Sequence, residues 1–301
     1  MTALGENPAR PARGRRLRER LGDVDRRVIF LAVGLAVALP LIFPLRLPVA
    51  VSREARAYYD ALEQLRPGDE ILVSFDYEPE TMAELDPMSL ATLRHAFRKD
   101  LRVIALTNYP GAPGIAQRIL GAAAAEAHKE YGVDYVFLGY NPDYSATMLR
   151  MGESIRQTFP TDHFGTPADS LPLLRQANSY ADTELLVAIS STVMAEYWII
   201  FAGGTFKEKV ISANTAIQAV LIYPYFQTGQ LSGFLGGLKG AAEYEKLIGR
   251  EGDGLRGMDA QSMAHLLIVC FIVLGNIGFL LGRRERGREG PGRGPAQATG
   301  A

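Results

Sequence analysis

Two apolar runs, Val28 to Leu45 and Ser262 to Gly282, stand near opposite ends of the chain, and neither contains an Asp, Glu, Lys or Arg. An α-helix rises 1.5 Å per residue, so a run of about 20 apolar residues crosses the ~30 Å hydrocarbon core of a bilayer. The runs predict transmembrane helices over 28–46 and 262–282. Whatever folds between them is then a domain held to a membrane at both of its ends.

Charge sets the expected topology. Eight arginines, Arg10, Arg13, Arg15, Arg16, Arg18, Arg20, Arg26 and Arg27, precede the first run, and Arg283, Arg284, Arg286, Arg288 and Arg293 follow the second. Lys/Arg-rich flanks stay in the cytoplasm, so both termini are expected there, in a two-pass protein of the cell membrane whose centre is extracytoplasmic. The net charge of −1 conceals basic tails around a more acidic middle. Beside a membrane span the arginines read as topology determinants, and no nucleic-acid partner is implied. The leader before the first run is too long for a signal peptide, and Val49 to Ser52 is a poor cleavage site. The tails at 1–27 and 283–301, rich in Arg, Gly and Pro, read as disordered.

The chain has one cysteine, Cys270, inside the second run. An intrachain disulfide and a cysteine metal site are therefore both excluded. A domain of about 200 residues buries enough apolar surface to fold without such staples.

The middle alternates between short apolar runs and segments of helical period. Residues 52–66 read as a stalk helix leaving the membrane, with Ala55, Tyr58, Leu62 and Leu65 on one face. The domain proper is expected over 69–249, followed by a linker at 250–261. Strands are predicted at Glu70 to Phe75, Val103 to Thr107, Tyr135 to Gly139, Leu185 to Ile189 and Val210 to Ala213, each an apolar run of the kind buried on both faces of a sheet. Helices are predicted from Asp86, from Gly111 to about Tyr131, over Ser145 to Phe159, over Asp169 to Tyr180, and from Thr192 to Ala202. The fold class that follows is α/β, a doubly wound, mostly parallel sheet inserted between two transmembrane helices.

In open parallel sheets ligands bind beyond the carboxyl ends of the strands. That rule selects Asp76 and Glu78, Asn108, Asn141 and Asp143, and Ser190 as candidate ligand-binding residues, a set suited to a sugar, a cation or another small polar solute. The acidic stretch from Asp76 to Asp86 lacks the spacing of a calcium loop. Neither the turn after the first strand nor Gly111-Ala-Pro-Gly114 has a nucleotide-loop pattern, so no metal and no cofactor is implied. A hydrolase would need Ser190 or Ser191 as nucleophile and His163 as base. Ala188-Ile-Ser-Ser-Thr192 has no flanking glycines of a nucleophile elbow, and no catalytic residue is assigned.

Gly229, Gly233, Gly237 and Ala241 recur every fourth residue. Read as a helix, they form a smooth stripe fit for close contact with another helix, and hence an interface for a homo-oligomer or for other membrane-protein subunits. The expectation is a non-catalytic, membrane-anchored binding or scaffold subunit of a membrane complex. A membrane-anchored hydrolase is the alternative.

Overall fold

A computed structural model describes residues 25–286, which divide into the domain Pro44–Asp259 and the helical segments that precede and follow it. The two are treated separately. The expectations for residues 1–24 and 287–301 lie outside the described residues.

Helix α1 is Arg26–Ile42, 17 residues with Pro40 inside. Asp25 caps it by accepting from the Arg27 N–H at 2.9 Å. At 1.5 Å per residue it is about 25 Å long, short of a full bilayer core. The closing helix, Asp253–Arg286, is 34 residues long. Within its stretch Asp253–Leu280 an 18-residue window reaches a mean hydropathy of 2.3, long and apolar enough to cross a membrane. Among the described residues one helix, not two, meets that measure. Asn276 donates to the Ile272 carbonyl at 2.9 Å, so its amide finds a partner within its own helix.

The domain is built on six parallel strands, β1 (Glu70–Asp76), β2 (Arg102–Thr107), β3 (Tyr135–Tyr140), β4 (Leu185–Ser190), β5 (Val210–Asn214) and β6 (Phe234–Gly236). Their order is β3-β2-β1-β4-β5-β6. Because strand side chains alternate in direction, Ile71, Val73 and Phe75 feed one core while Leu72 feeds the other. Helices α2 (Arg53–Glu63), α3 (Met82–Arg98), α4 (Pro113–Glu126) and α10 (Gly237–Leu247) cover the first core. The second lies under α5 (Tyr144–Met151), α6 (Ile155–Thr158), α7 (Pro172–Gln176), α8 (Met194–Trp198) and α9 (Ala216–Gln227). Right-handed crossovers dictate this division: the chain moves outward from β1 in one direction with helices on one face, then from β4 in the other with helices on the opposite face.

Several elements differ from expectation. The segment read as a stalk belongs to the domain: Tyr58 and Leu62 of α2 are fully buried. Its Glu63 also enters a three-helix network, accepting from His95 Nε2 at 2.8 Å while His95 Nδ1 pairs with the Tyr244 hydroxyl at 2.7 Å. Burial lowers the His95 pKa, against the upward pull of Glu63. The helix expected over Ser145 to Phe159 breaks after α5: Gly152 is still helical, but Ser154 is extended and caps α6 by accepting from the Gln157 N–H at 3.2 Å. The helix expected over Asp169 to Tyr180 is reduced to α7 between 3-10 turns. Beyond α8 the chain continues in a π-helical segment, Ile199–Phe206, ended by Lys207 in the left-handed conformation. The expected linker at 250–261 is the beginning of the closing helix, α11 (Asp253–Arg286).

The helical stripe of small residues is not formed. Gly229 occupies a turn at φ +77°, Gly233 precedes the strand β6, and Gly237 opens α10 at φ +60°. A Cβ at Gly233 would stand 2.3 Å from the Tyr58 backbone nitrogen. Gly233 thus makes a close approach inside the domain, and Ala241 is buried in the core beneath α10.

Candidate functional site

The strand order places a switch point between β1 and β4, where the chain turns to opposite sides of the sheet and where ligands of doubly wound folds bind. Register aligns Asp76, the last residue of β1, with Ser190 of β4, and Ser190 with Asn214 of β5. Asn108 follows β2 on the other side. The carboxyl edge therefore carries a row of Asn108, Asp76, Ser190 and Asn214 across four adjacent strands.

Asp76 organises that row. Its carboxylate is fully buried and accepts from Ser74 Oγ at 2.5 Å, the Asn108 N–H at 2.7 Å, Trp198 Nε1 at 3.0 Å and Thr107 Oγ1 at 3.5 Å. Burial raises its pKa, and these four donors pull it back down. With its lone pairs so occupied, Asp76 positions the β1, β2 and β4 connections and offers no free oxygen to a ligand. Ser190 Oγ lies 3.2 Å from the Asp76 carbonyl and 3.0 Å from the Thr192 carbonyl, and accepts from the Thr192 N–H at 3.0 Å.

Next to this saturated centre are polar atoms without partners. Asn108 Nδ2 donates to the Asn141 carbonyl at 2.9 Å, and Asn214 Nδ2 donates to Ser212 Oγ at 2.7 Å. The Oδ1 atoms of both asparagines and the Ser191 hydroxyl are buried with no hydrogen-bond partner among the described residues. Buried polar atoms are nearly always paired, so three orphans along one sheet edge are unusual.

The other expected residues have local tasks. Asn141 accepts from the Asp143 N–H at 3.1 Å, and Asp143 caps α5 through the Ala146 N–H at 3.2 Å. Glu78 accepts from the Tyr109 hydroxyl at 2.6 Å. Farther along the acidic stretch, Glu84 caps α9 by accepting from the Ala216 N–H at 2.8 Å. No group of three His, Cys, Asp or Glu side chains placed to hold a metal ion occurs among the described residues.

No catalytic triad is assembled. His163 is exposed beside β3, its ring centroid 4.7 Å from that of Phe137, and among the described residues its side chain bonds to no Ser, Asp or Glu. The neighbouring Asp162 accepts from the Tyr131 hydroxyl at 2.6 Å and from the Phe164 and Thr166 N–H groups. It shapes the turn that Gly165 completes at φ +83°.

Two residues of the site were not anticipated. Asn214 obeys the same strand-end rule as the others, but the fifth strand runs one residue past its apolar run. Trp198 reaches Asp76 from α8, a contact that no local pattern announces. These features define a doubly wound α/β domain with a polar carboxyl edge. No known protein family and no curated protein sequence matches the chain.

Proposed function

We propose that the protein is an α/β binding module anchored in a membrane by α11, with its domain outside the cytoplasm and the arginine-rich flank of α11 inside, acting as a non-catalytic subunit of a membrane complex. The observation that carries the binding role is the set of unpartnered polar atoms, Asn108 Oδ1, Ser191 Oγ and Asn214 Oδ1, at the switch-point edge. Two of the three are pure acceptors, so a fitting ligand supplies hydrogen-bond donors. Neighbouring strands lie ~4.8 Å apart, so the row from Asn108 to Asn214, three spacings, extends for ~14 Å. An elongated, hydroxyl-rich solute such as a short oligosaccharide suits that span. Binding is favoured over hydrolysis because Ser190 is engaged with backbone, and among the described residues no histidine bonds to Ser190 or Ser191.

The test is a thermal-shift screen of mono-, di- and trisaccharides against the full chain in detergent, with Asn108→Leu and Asn214→Leu as controls. A ligand present at 100 times its Kd stabilises by about 2.7 kcal/mol. A di- or trisaccharide is expected to raise the wild-type midpoint and to leave the Asn214→Leu midpoint unmoved. A screen without a shift, or a shift retained in both variants, overturns the site.

A further inference from the structure

Helix α9 departs from what a water-exposed helix requires. No charged residue and no histidine occurs from Val210 to Leu238, whereas a stretch of that length at the chain average of 22 % would carry about six charges. Part of this stretch is core, and α9 joins it along one side only: Ile222 is its one buried residue, with Ala219, Tyr225 and Phe226 partly packed against the second core. Ile217 is 82 % exposed, Val220 72 %, Leu221 53 % and Tyr223 41 %. A helix apolar on every side belongs in an apolar medium, and an uncharged segment of 10–14 residues is too short to span a bilayer but suits its interface.

The position of α9 within the domain identifies the medium. In the first turns of α11, Gly257 packs on Leu238, its Cβ position 2.9 Å from a Leu238 methyl. Gly237, next to Leu238, packs on Ala216 at the start of α9, again at 2.9 Å. Two residues past Gly257, the Asp259 carboxylate accepts from the Leu45, Arg46 and Leu47 N–H groups at 2.9, 2.9 and 3.1 Å. The exposed beginning of α9 therefore lies close to the place where both ends of the domain are gathered.

We infer that α9 is a second, non-spanning membrane contact, which sets Ile217, Val220 and Leu221 into the lipid interface. Tyr223, farther along the helix and exposed, is a residue of the kind enriched at the headgroup level. Because the helix carries no Lys or Arg, its insertion needs no anionic lipid and is insensitive to salt. The inference rests on the membrane-anchored reading, and its test separates the two.

Full-length protein is reconstituted in phosphatidylcholine vesicles, with or without nitroxide-bearing lipid, and labelled with an environment-sensitive fluorophore at one cysteine. The sites are native Cys270, or in a Cys270→Ser background Ile217→Cys or Thr161→Cys, the last an exposed site on another face. Labels at Cys270 and Ile217→Cys are expected to emit to the blue and to be quenched by the nitroxide lipid, while Thr161→Cys is quenched by aqueous iodide alone. Quenching at Cys270 with a water-like Ile217→Cys overturns the role of α9 and leaves the anchor intact. A blue-shifted Ile217→Cys that nitroxide lipid does not quench means that protein, such as a second copy, covers the helix, and also overturns it. An unquenched Cys270 removes the anchored reading and this inference together.

Discussion

The indole N–H of Trp198 donates to the Asp76 carboxylate at 3.0 Å, joining the end of the first strand to the helix that follows the fourth. Both groups are buried, and the bond bridges the switch point of the sheet. Burial raises the pKa of this carboxyl, and donors of this kind oppose that shift. Here the donors come from β1, β2 and α8, so the acid locks three connections around one point.

Removing that acceptor is expected to be costly. Asp76→Ala leaves the Asn108 and Trp198 N–H groups buried and unpaired, at about 1–3 kcal/mol each. Trp198→Phe removes one donor and some volume, and is expected to cost about 2–4 kcal/mol. The two changes share a bond, so the double variant should lose less than the sum of the singles. Urea unfolding followed by far-ultraviolet circular dichroism measures all three, since Trp198 is the sole tryptophan. Additive losses would show that the pair does not act as a unit.

Glu208 makes stability depend on pH. Burial pushes its carboxyl from an ordinary 4.5 up to about 8, with the Thr183 hydroxyl opposing and Glu184 reinforcing the shift. The folded state thus holds the proton more tightly than the unfolded chain. The stabilising contribution is complete below about pH 4.5, is lost as pH rises toward about 8, and is level above. Glu208→Gln keeps a neutral partner for Thr183 and abolishes the slope. The variant should exceed wild type at pH 9 by on the order of 2–4 kcal/mol, and the gap should close toward pH 5. Parallel urea midpoints across that range would contradict the assignment.

Gly233 tolerates no side chain. A Cβ there would come within 2.6 Å of three backbone atoms of Ala57 and Tyr58, which cannot rotate away. Gly233→Ala is expected to destabilise by at least the ~1–3 kcal/mol typical of overpacking. Gly229→Ala meets no atom within 4 Å and bears only the strain of φ +77°, about 1 kcal/mol. Thermal midpoints compare them. If Gly233→Ala melts with wild type, the contact with α2 is not close.

The strands were legible because each is enclosed on both faces, so composition alone marks it: EILVSF, VIALT, YVFLG and LLVAI fall within one residue of β1 to β4. The failures share a cause in contacts distant along the chain. Phe234-Leu-Gly236 sits among glycines whose spacing imitates a helix, and only pairing with Ser212 to Asn214 reveals β6. The break beyond Gly152 is held by bonds from the Ser154 hydroxyl and the Arg156 N–H to Asn178, more than twenty residues later. Arg53 to Glu63 has the amphipathic period of any surface helix, and nothing local tells that its apolar side meets Tyr244 and His95. Of the candidate site, the strand-end rule located Asp76, Asn108 and Ser190. It did not tell which oxygens are saturated and which are left over, because that depends on Trp198 and on the rotamers of the asparagines.

The clasp of Asp259 on Leu45, Arg46 and Leu47 has a mechanical meaning. A load that drew residues 44 and 259 apart would fall first on three backbone bonds gathered on one carboxylate. All three are short and side by side, so they share the pull and resist it together instead of parting one by one. Behind them, Lys246 donates to the Val49 carbonyl at 2.6 Å and Ser52 to Glu243 at 2.5 Å, so the same pull would meet further bonds before α2 and the first strand. A pull applied between residues 44 and 259 is thus taken up at this clasp before it reaches the Asp76 edge.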